Sequence, residues 1–142
     1  MTDADLEIAR RFEAIVARAA GGEDIRTLPF QEQVVYYVVA VRSEADMNGF
    51  CSVFEQLLTH ESDVAFFVRV LRHLEENYLA DDFVEIQRLL GHAGYFQDPT
   101  REFHALPAEV QERFKALERG VLSGDRLWDL DEKLLVACGN PR

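Results

Sequence analysis

The sequence predicts an all-α fold: a single compact domain of about six to seven helices around a central buried helix. Three observations lead there. Phe30, Val34, Tyr37, Val38, Val41 and Ala45 recur at i, i+4, i+7, i+8, i+11 and i+15, a stripe at helical period longer than an ordinary strand sustains. Asn48-Gly49 then interrupts the pattern, and a second stripe follows at once in Phe50, Val53, Phe54, Leu57 and Leu58. Elsewhere no convincing strand pattern and no fixed internal repeat is present. The run from Val34 to Val41 is nearly all β-branched or aromatic, which favours a strand locally, but the spacing decides for a helix.

Taken in order, residues 3 to 20 read as an amphipathic helix with Ile8, Phe12, Ile15, Val16 and Ala19 on one face. Thr2 or Asp3 can cap its start, and Gly21-Gly22 ends it. The central helix is expected to begin near residue 28. Pro29 fits its first position because a proline there loses no needed N–H. Val35 and Val39 lie off the stripe, so burial on more than one side is expected. The helix ends near residue 47, where Asn48 and Gly49 tolerate a left-handed backbone, and a helix over residues 50 to 60 follows.

Ser62 is the expected N-cap of the next helix, whose stripe Val64, Phe67, Val68, Leu71, Leu74 and Tyr78 runs to about Asn77. Leu79, Phe83, Ile86 and Leu90 mark a further helix, with Asp81 or Asp82 near its favourable N-terminal end and Gly91 and Gly94 closing it. The two read as an antiparallel hairpin. Tyr95 to Leu106 reads as a connection with one helical turn. Pro107 to Arg119 reads as a helix with Val110, Phe114 and Leu117 inward, broken by Gly120 and Ser123-Gly124. Leu127 to Cys138 is the last helix, capped by Asp129 or Asp131 and packed through Leu130, Leu134 and Leu135 before Gly139-Asn140-Pro141. Residues 1–27 form the N-terminal helix and its connection, and residues 28–140 the helical core of the same domain.

Composition excludes several classes. With 142 residues, 48% of them apolar and 29% charged, the chain has the makings of a globular domain rather than a collagen-like or wholly disordered one. No apolar run reaches the roughly 18 residues of a spanning helix, and MTDADLEIARR lacks the order of a signal peptide, so a cytoplasmic protein is expected. Cys51 and Cys138 are too far apart for a C-x-x-C site and are expected to be reduced, Cys51 as a small buried hydrophobe. His60, His73, His92 and His104 form no two-ligand spacing, and Gly91 and Gly94 lack the lysine of a phosphate loop. Neither a metal nor a cofactor is expected.

The formal charge of −11 is the unusual bulk property. It argues against direct binding to nucleic acid or to an anionic membrane. Residues 44 to 98 hold 11 acids against 3 bases, a net of −8. The carboxylates Glu55, Glu61, Asp63, Glu75, Glu76, Asp81, Asp82 and Glu85 lie on or between short helices, where neighbours three or four apart stand about 5 to 6 Å from each other. That spacing is comparable to phosphates along a nucleic-acid strand. Glu44, near the end of the central helix, has two readings. It is an acid/base residue of a hydrolase-like enzyme working with Tyr36, Tyr37 or a histidine, or a structural carboxylate bonded to backbone amides of the 46–50 turn. The second is favoured, because a buried carboxylate must find partners.

Tyr36-Tyr37, Glu44, Gly49-Phe50 and Phe54 together resemble the "YY…E-x-N-N-G-G-F-x-x-F-F" block of a bacterial family of unknown function that includes a DNA-mimic protein. Leu127-Trp128-Asp129-Leu130-Asp131 is similar to that family's "L-D-D-x-F" segment, so the resemblance spans about residues 28 to 140. The match departs at Asp46, Met47 and Asn48, and Val53 replaces the first phenylalanine of the pair. The resemblance implies a helical fold in which Glu44, Asn48, Gly49 and Phe50 build a structural turn. It also implies a non-enzymatic protein that binds a protein partner, such as a basic DNA-binding regulator, through carboxylates. A homodimer would lengthen the charged array.

Overall fold

The computed structural model describes residues 2–139, and within them the chain forms seven α-helices and no strand. They are α1 (Asp3–Ala20), α2 (Phe30–Asn48), α3 (Phe50–Ser52, continued as a π-turn over Val53–Leu57), α4 (Glu61–His73), α5 (Asn77–His92), α6 (Ala108–Leu122) and α7 (Asp131–Cys138). Thr2 caps α1 through a reciprocal box: its hydroxyl accepts from the Asp5 N–H while the Asp5 carboxylate accepts from the Thr2 N–H. The Asn140-Pro141 stop lies outside the described residues.

α2 buries Val34, Val35, Val38, Val39 and Val41, so burial does extend beyond one stripe. Pro29 is its N-cap residue, with ψ at 148°, so it stands one step before the first helical position expected of it. α1, α3 and α7 pack on α2, whereas α4 and α6 pack on α5. The centre is therefore shared by α2 and α5 and is filled with phenylalanine. Phe54 lies between Phe50, Phe83, Phe103 and Phe114 at centroid distances of 5.4, 6.0, 6.5 and 5.7 Å, and Phe67 meets Phe83 at 5.0 Å. Such offset and edge-on pairs satisfy the ring quadrupoles while excluding water.

Gly49 makes the corner. Its φ of 91° and ψ of 156° lie in a region open essentially to glycine alone, so the chain reverses there without strain. After it, the expected helix over residues 50 to 60 is only a turn that widens into the π-turn, closed by the Leu58 N–H to the Val53 carbonyl at 2.8 Å. The Phe54 carbonyl inside this turn accepts from the Tyr95 hydroxyl at 3.0 Å, and Arg101 donates from Nε to the Thr59 carbonyl at 2.7 Å. These bonds fasten the segment after α5, which packs Tyr95, Phe96 and Phe103 inward, to the chain around α3.

Four boundaries differ from the sequence expectation. α4 starts at Glu61 with His60 before it, and the His60 N–H donates to the Asp63 carboxylate at 3.0 Å, so Ser62 is not the cap. α4 ends at His73, because the chain turns through Glu75 at a φ of 59°. That rotates Tyr78 out of the stripe and leaves it 81% exposed. α6 passes through Gly120 to Leu122 and is stopped by Gly124, the glycine whose φ is positive. α7 starts at Asp131, and the Asp131 side chain turns inward instead of capping.

Candidate functional site

The α4–α5 hairpin carries most of the eight carboxylates singled out from the sequence, but places them at two ends. Glu61 and Asp63 sit in the first turn of α4, and Gln87 of α5 donates toward Glu61 at 3.5 Å. Glu75 and Glu76 lie at the other end, about 18 Å away along a helix of this length, next to Asp81 and Asp82 in the opening turns of α5. Glu85 lies further along α5, and Glu55 lies apart on the π-turn.

Several of these charges are already matched. Asp81 pairs with Arg72 at 3.0 Å, Glu85 with Arg88 at 2.6 Å, and Asp82 with Arg126 at 3.6 Å, while Glu76 is held by Lys133. Asp63 faces His60 at 3.3 Å. Among the described residues Glu55, Glu61 and Glu75 have no cation within 4 Å. Burial raises the Asp82 carboxyl above the ordinary aspartate range, with Arg126 opposing and neighbouring Asp81 reinforcing the shift. Glu61, Glu75, Asp81 and Glu85 are exposed, Asp81 with 67% of its side chain accessible. Sequence reasoning missed Glu132. It lines, with Glu75, Lys133 and Val136, an open groove of about 470 Å³ between the α4–α5 turn and α7, and so extends the acidic surface.

Glu44 is engaged at the corner, by side chains rather than by the backbone amides expected. Its Oε1 accepts from Ser52 Oγ at 2.5 Å and from Asn48 Nδ2 at 3.2 Å, a clamp that ties the end of α2 to α3 across Gly49. Tyr37 is seven residues earlier, roughly 10 Å along the helix axis, and points to Phe66, while Tyr36 stacks on Phe12. The structure therefore does not bring Glu44 together with either tyrosine. A second groove, of about 510 Å³, is lined by Glu61, Val84, Gln87, Arg88, Gly91 and His92. Both cysteine thiols are raised, chiefly by burial, Cys51 to about 11.

One buried polar cluster lies elsewhere. Asp131, 6% exposed, has Oδ1 2.7 Å from Arg42 Nη2 of α2, yet that oxygen receives no well-directed hydrogen bond. Arg42 Nη1 also donates to the Leu127 carbonyl at 3.4 Å. Asp5, in the first turn of α1, is the acidic group whose influence reaches Asp131. Burial first, and the Asp5 carboxyl second, push Asp131 up to about 6 against the opposing pull of Arg42.

No helix among the described residues is long and apolar enough to cross a membrane, and no group of three or more His, Cys, Asp or Glu side chains among them is disposed to hold a metal. Compared with family models, with curated protein sequences and with solved structures, the chain matches none.

Proposed function

We propose that this protein is a cytoplasmic, non-enzymatic interaction module that binds a basic protein through the acidic surface of the α4–α5 hairpin, its carboxylates standing where a DNA-binding partner takes phosphates. The observation that carries the reading is the net −8 of residues 44 to 98 together with the exposure of Glu61, Glu75, Asp81 and Glu85 along one hairpin. The resemblance of Tyr36-Tyr37, Glu44, Gly49-Phe50 and Phe54 to the block of a family of unknown function that includes one DNA mimic points the same way. The ion pairs at Asp81 and Glu85 do not obstruct it, because exposed pairs contribute only about 0 to 1 kcal/mol and a partner's arginines displace them at little cost. Complementary charge of this kind accelerates association and selects partners. The acid/base enzyme reading needs a Glu44 that is free beside a tyrosine or histidine, and its bonds to Asn48 and Ser52 weigh against it.

The test is capture of cytoplasmic proteins on the immobilised chain, followed by elution with duplex DNA or with salt. A phosphate-like contact releases its partner to competing duplex, and weakens as the Debye length falls from about 10 Å at 0.1 M to about 3 Å at 1 M salt. Reversal of Glu61, Glu75, Asp81 and Glu85 to lysine should abolish capture with unchanged helical circular dichroism. A partner that survives the reversal, or that duplex fails to displace, overturns the proposal.

A further inference from the structure

A cleft of about 220 Å³ lies where the connection after α1 meets α2 and α4, away from the Glu44 corner. Arg26, Gln33, Tyr37, Asp63 and Phe66 line it. We propose that this cleft binds a free α-amino acid with an apolar side chain, its carboxylate on Arg26 and the Tyr37 hydroxyl, its ammonium on Asp63 and its side chain against Phe66.

Opposite charges line the cleft without neutralising each other. Among the described residues the Arg26 guanidinium has no carboxylate within 4 Å, although acids outnumber bases 26 to 15 in the chain, and Asp63 faces only His60. The Arg26 backbone is nonetheless fixed on both sides, since its N–H donates to Asp24 Oδ1 at 3.0 Å and its carbonyl accepts from Gln33 Nε2 at 3.3 Å. Asp63 is fixed as well. Its Oδ2 accepts the His60 N–H at 3.0 Å and faces His60 Nδ1 at 3.3 Å, which leaves Oδ1 unpaired among the described residues. The Tyr37 ring meets Tyr36 and Phe66 edge-on at centroid distances of 5.2 and 5.3 Å, so the phenol is held by its ring while its hydroxyl bonds no other described residue. Phe66 is met edge-on by Phe30 at 6.1 Å. Gln33 Nε2 is spent on the Arg26 and Leu28 carbonyls, and its Oε1 is left over.

The remaining inventory suits a zwitterion: a guanidinium and a phenol that donate, and the Asp63 and Gln33 oxygens that accept. A planar guanidinium matches a carboxylate through two parallel bonds, and an ammonium donates to oxygens. A ligand of one sign would leave the opposite wall desolvated and unpaired, whereas an α-amino acid satisfies both. Size agrees, because the cleft is smaller than the roughly 300 to 1,000 Å³ of sites that take drug-sized ligands. Asp63 is half-buried, so it serves this cleft without being drawn from the exposed acidic surface.

The test is an amide NMR titration of the full chain with L-leucine and L-phenylalanine at millimolar concentration. Beside them stand analogues that lack one charged group: isoamylamine and isocaproate for leucine, phenethylamine and hydrocinnamate for phenylalanine. At least one amino acid should give saturable shifts centred on Arg26, Gln33, Tyr37, Asp63 and Phe66, and both of its analogues should bind at least about tenfold more weakly, the fold-change expected of one charge-assisted hydrogen bond. Arg26→Gln should lower amino-acid affinity at least about tenfold and erase the advantage over the amine. Asp63→Asn should lower it likewise and erase the advantage over the acid; it keeps an oxygen for the His60 N–H, so α4 retains its start. Absence of saturable shifts with both amino acids, shifts centred elsewhere, analogues that bind as tightly, or variants that bind as the parent chain does would each overturn the assignment.

Discussion

Phe54→Ala is the substitution that tests the architecture most directly. Phe54 is 0% exposed and meets four other phenylalanines drawn from α3, α5, α6 and the segment before α6. Its ring is the piece those four elements have in common. Truncation removes the transfer free energy of the ring and leaves a hole bounded by other rigid rings, which collapse poorly, so the cost should lie at the upper part of the usual range, about 4 to 5 kcal/mol. Each lost aromatic pair carries about 0.5 to 1.5 kcal/mol beyond area burial, but these pairs share one ring and their energies are not additive. Against a total stability of about 5 to 15 kcal/mol, the change is a large fraction. The assay is urea denaturation followed by far-ultraviolet circular dichroism: the midpoint should move down sharply with the slope m unchanged, and the melting temperature should drop by more than 10 °C. A loss below about 1 kcal/mol would refute the reasoning, because no ring buried among four others can be removed at that cost.

Gly49→Ala should destabilise by about 1 to 3 kcal/mol through backbone strain alone, since a Cβ at this position meets nothing within 4 Å; a neutral result in the same denaturation would mean that the corner does not need its φ of 91°. Tyr95→Phe should cost about 1 to 3 kcal/mol by leaving the Phe54 carbonyl without its buried donor, and a change within 0.5 kcal/mol (of order the usual surface effect) would count against that bond. The pH dependence has a definite sign. Asp131 binds its proton more tightly folded than unfolded, so its contribution is complete below 3.8 and is lost as pH rises through about 6. Chemical denaturation at pH 4.5 and pH 7.5 should therefore show the parent chain gaining about 2 kcal/mol at the lower value relative to Asp131→Asn, whose subtraction removes the general self-repulsion of an acidic chain. An equal difference at both pH values would contradict it.

The helices that sequence periodicity finds are those whose apolar residues answer to one partner surface. α1, α2, α5 and α6 show such stripes, and Ile8, Val34, Phe83 and Phe114 are all buried. Boundaries fail where a local competitor wins over periodicity. Ser62 is a good cap by type, but Asp63 reaches back to the His60 N–H and starts α4 two residues sooner. Tyr78 continues the α4 stripe on paper, but Glu75 adopts a left-handed backbone and the register restarts. The π-turn leaves no periodic signature, because i, i+3 and i+4 apolar spacing is preserved while the hydrogen bonds lengthen by one residue.

Charge is read from a sequence less well than helices are, for a reason the acidic surface makes concrete. Summing along the chain assigns −8 to residues 44 to 98, and an approaching partner still about a Debye length away senses little more than that sum. At contact it is not. Lys133, from a nearly neutral segment 57 residues away, folds onto Glu76, and Arg126 folds onto Asp82. In the opposite direction, the same near-neutral segment supplies Asp131, the buried carboxylate whose neighbours, Asp5 and Arg42, come from elements remote in sequence. Which carboxylates can meet a partner is thus decided by long-range folding and not by local composition. Reversal of the exposed set Glu61, Glu75, Asp81 and Glu85 should consequently disrupt binding more than reversal of the half-buried Asp63, Glu76 and Asp82, even though both sets lie in the same acidic segment.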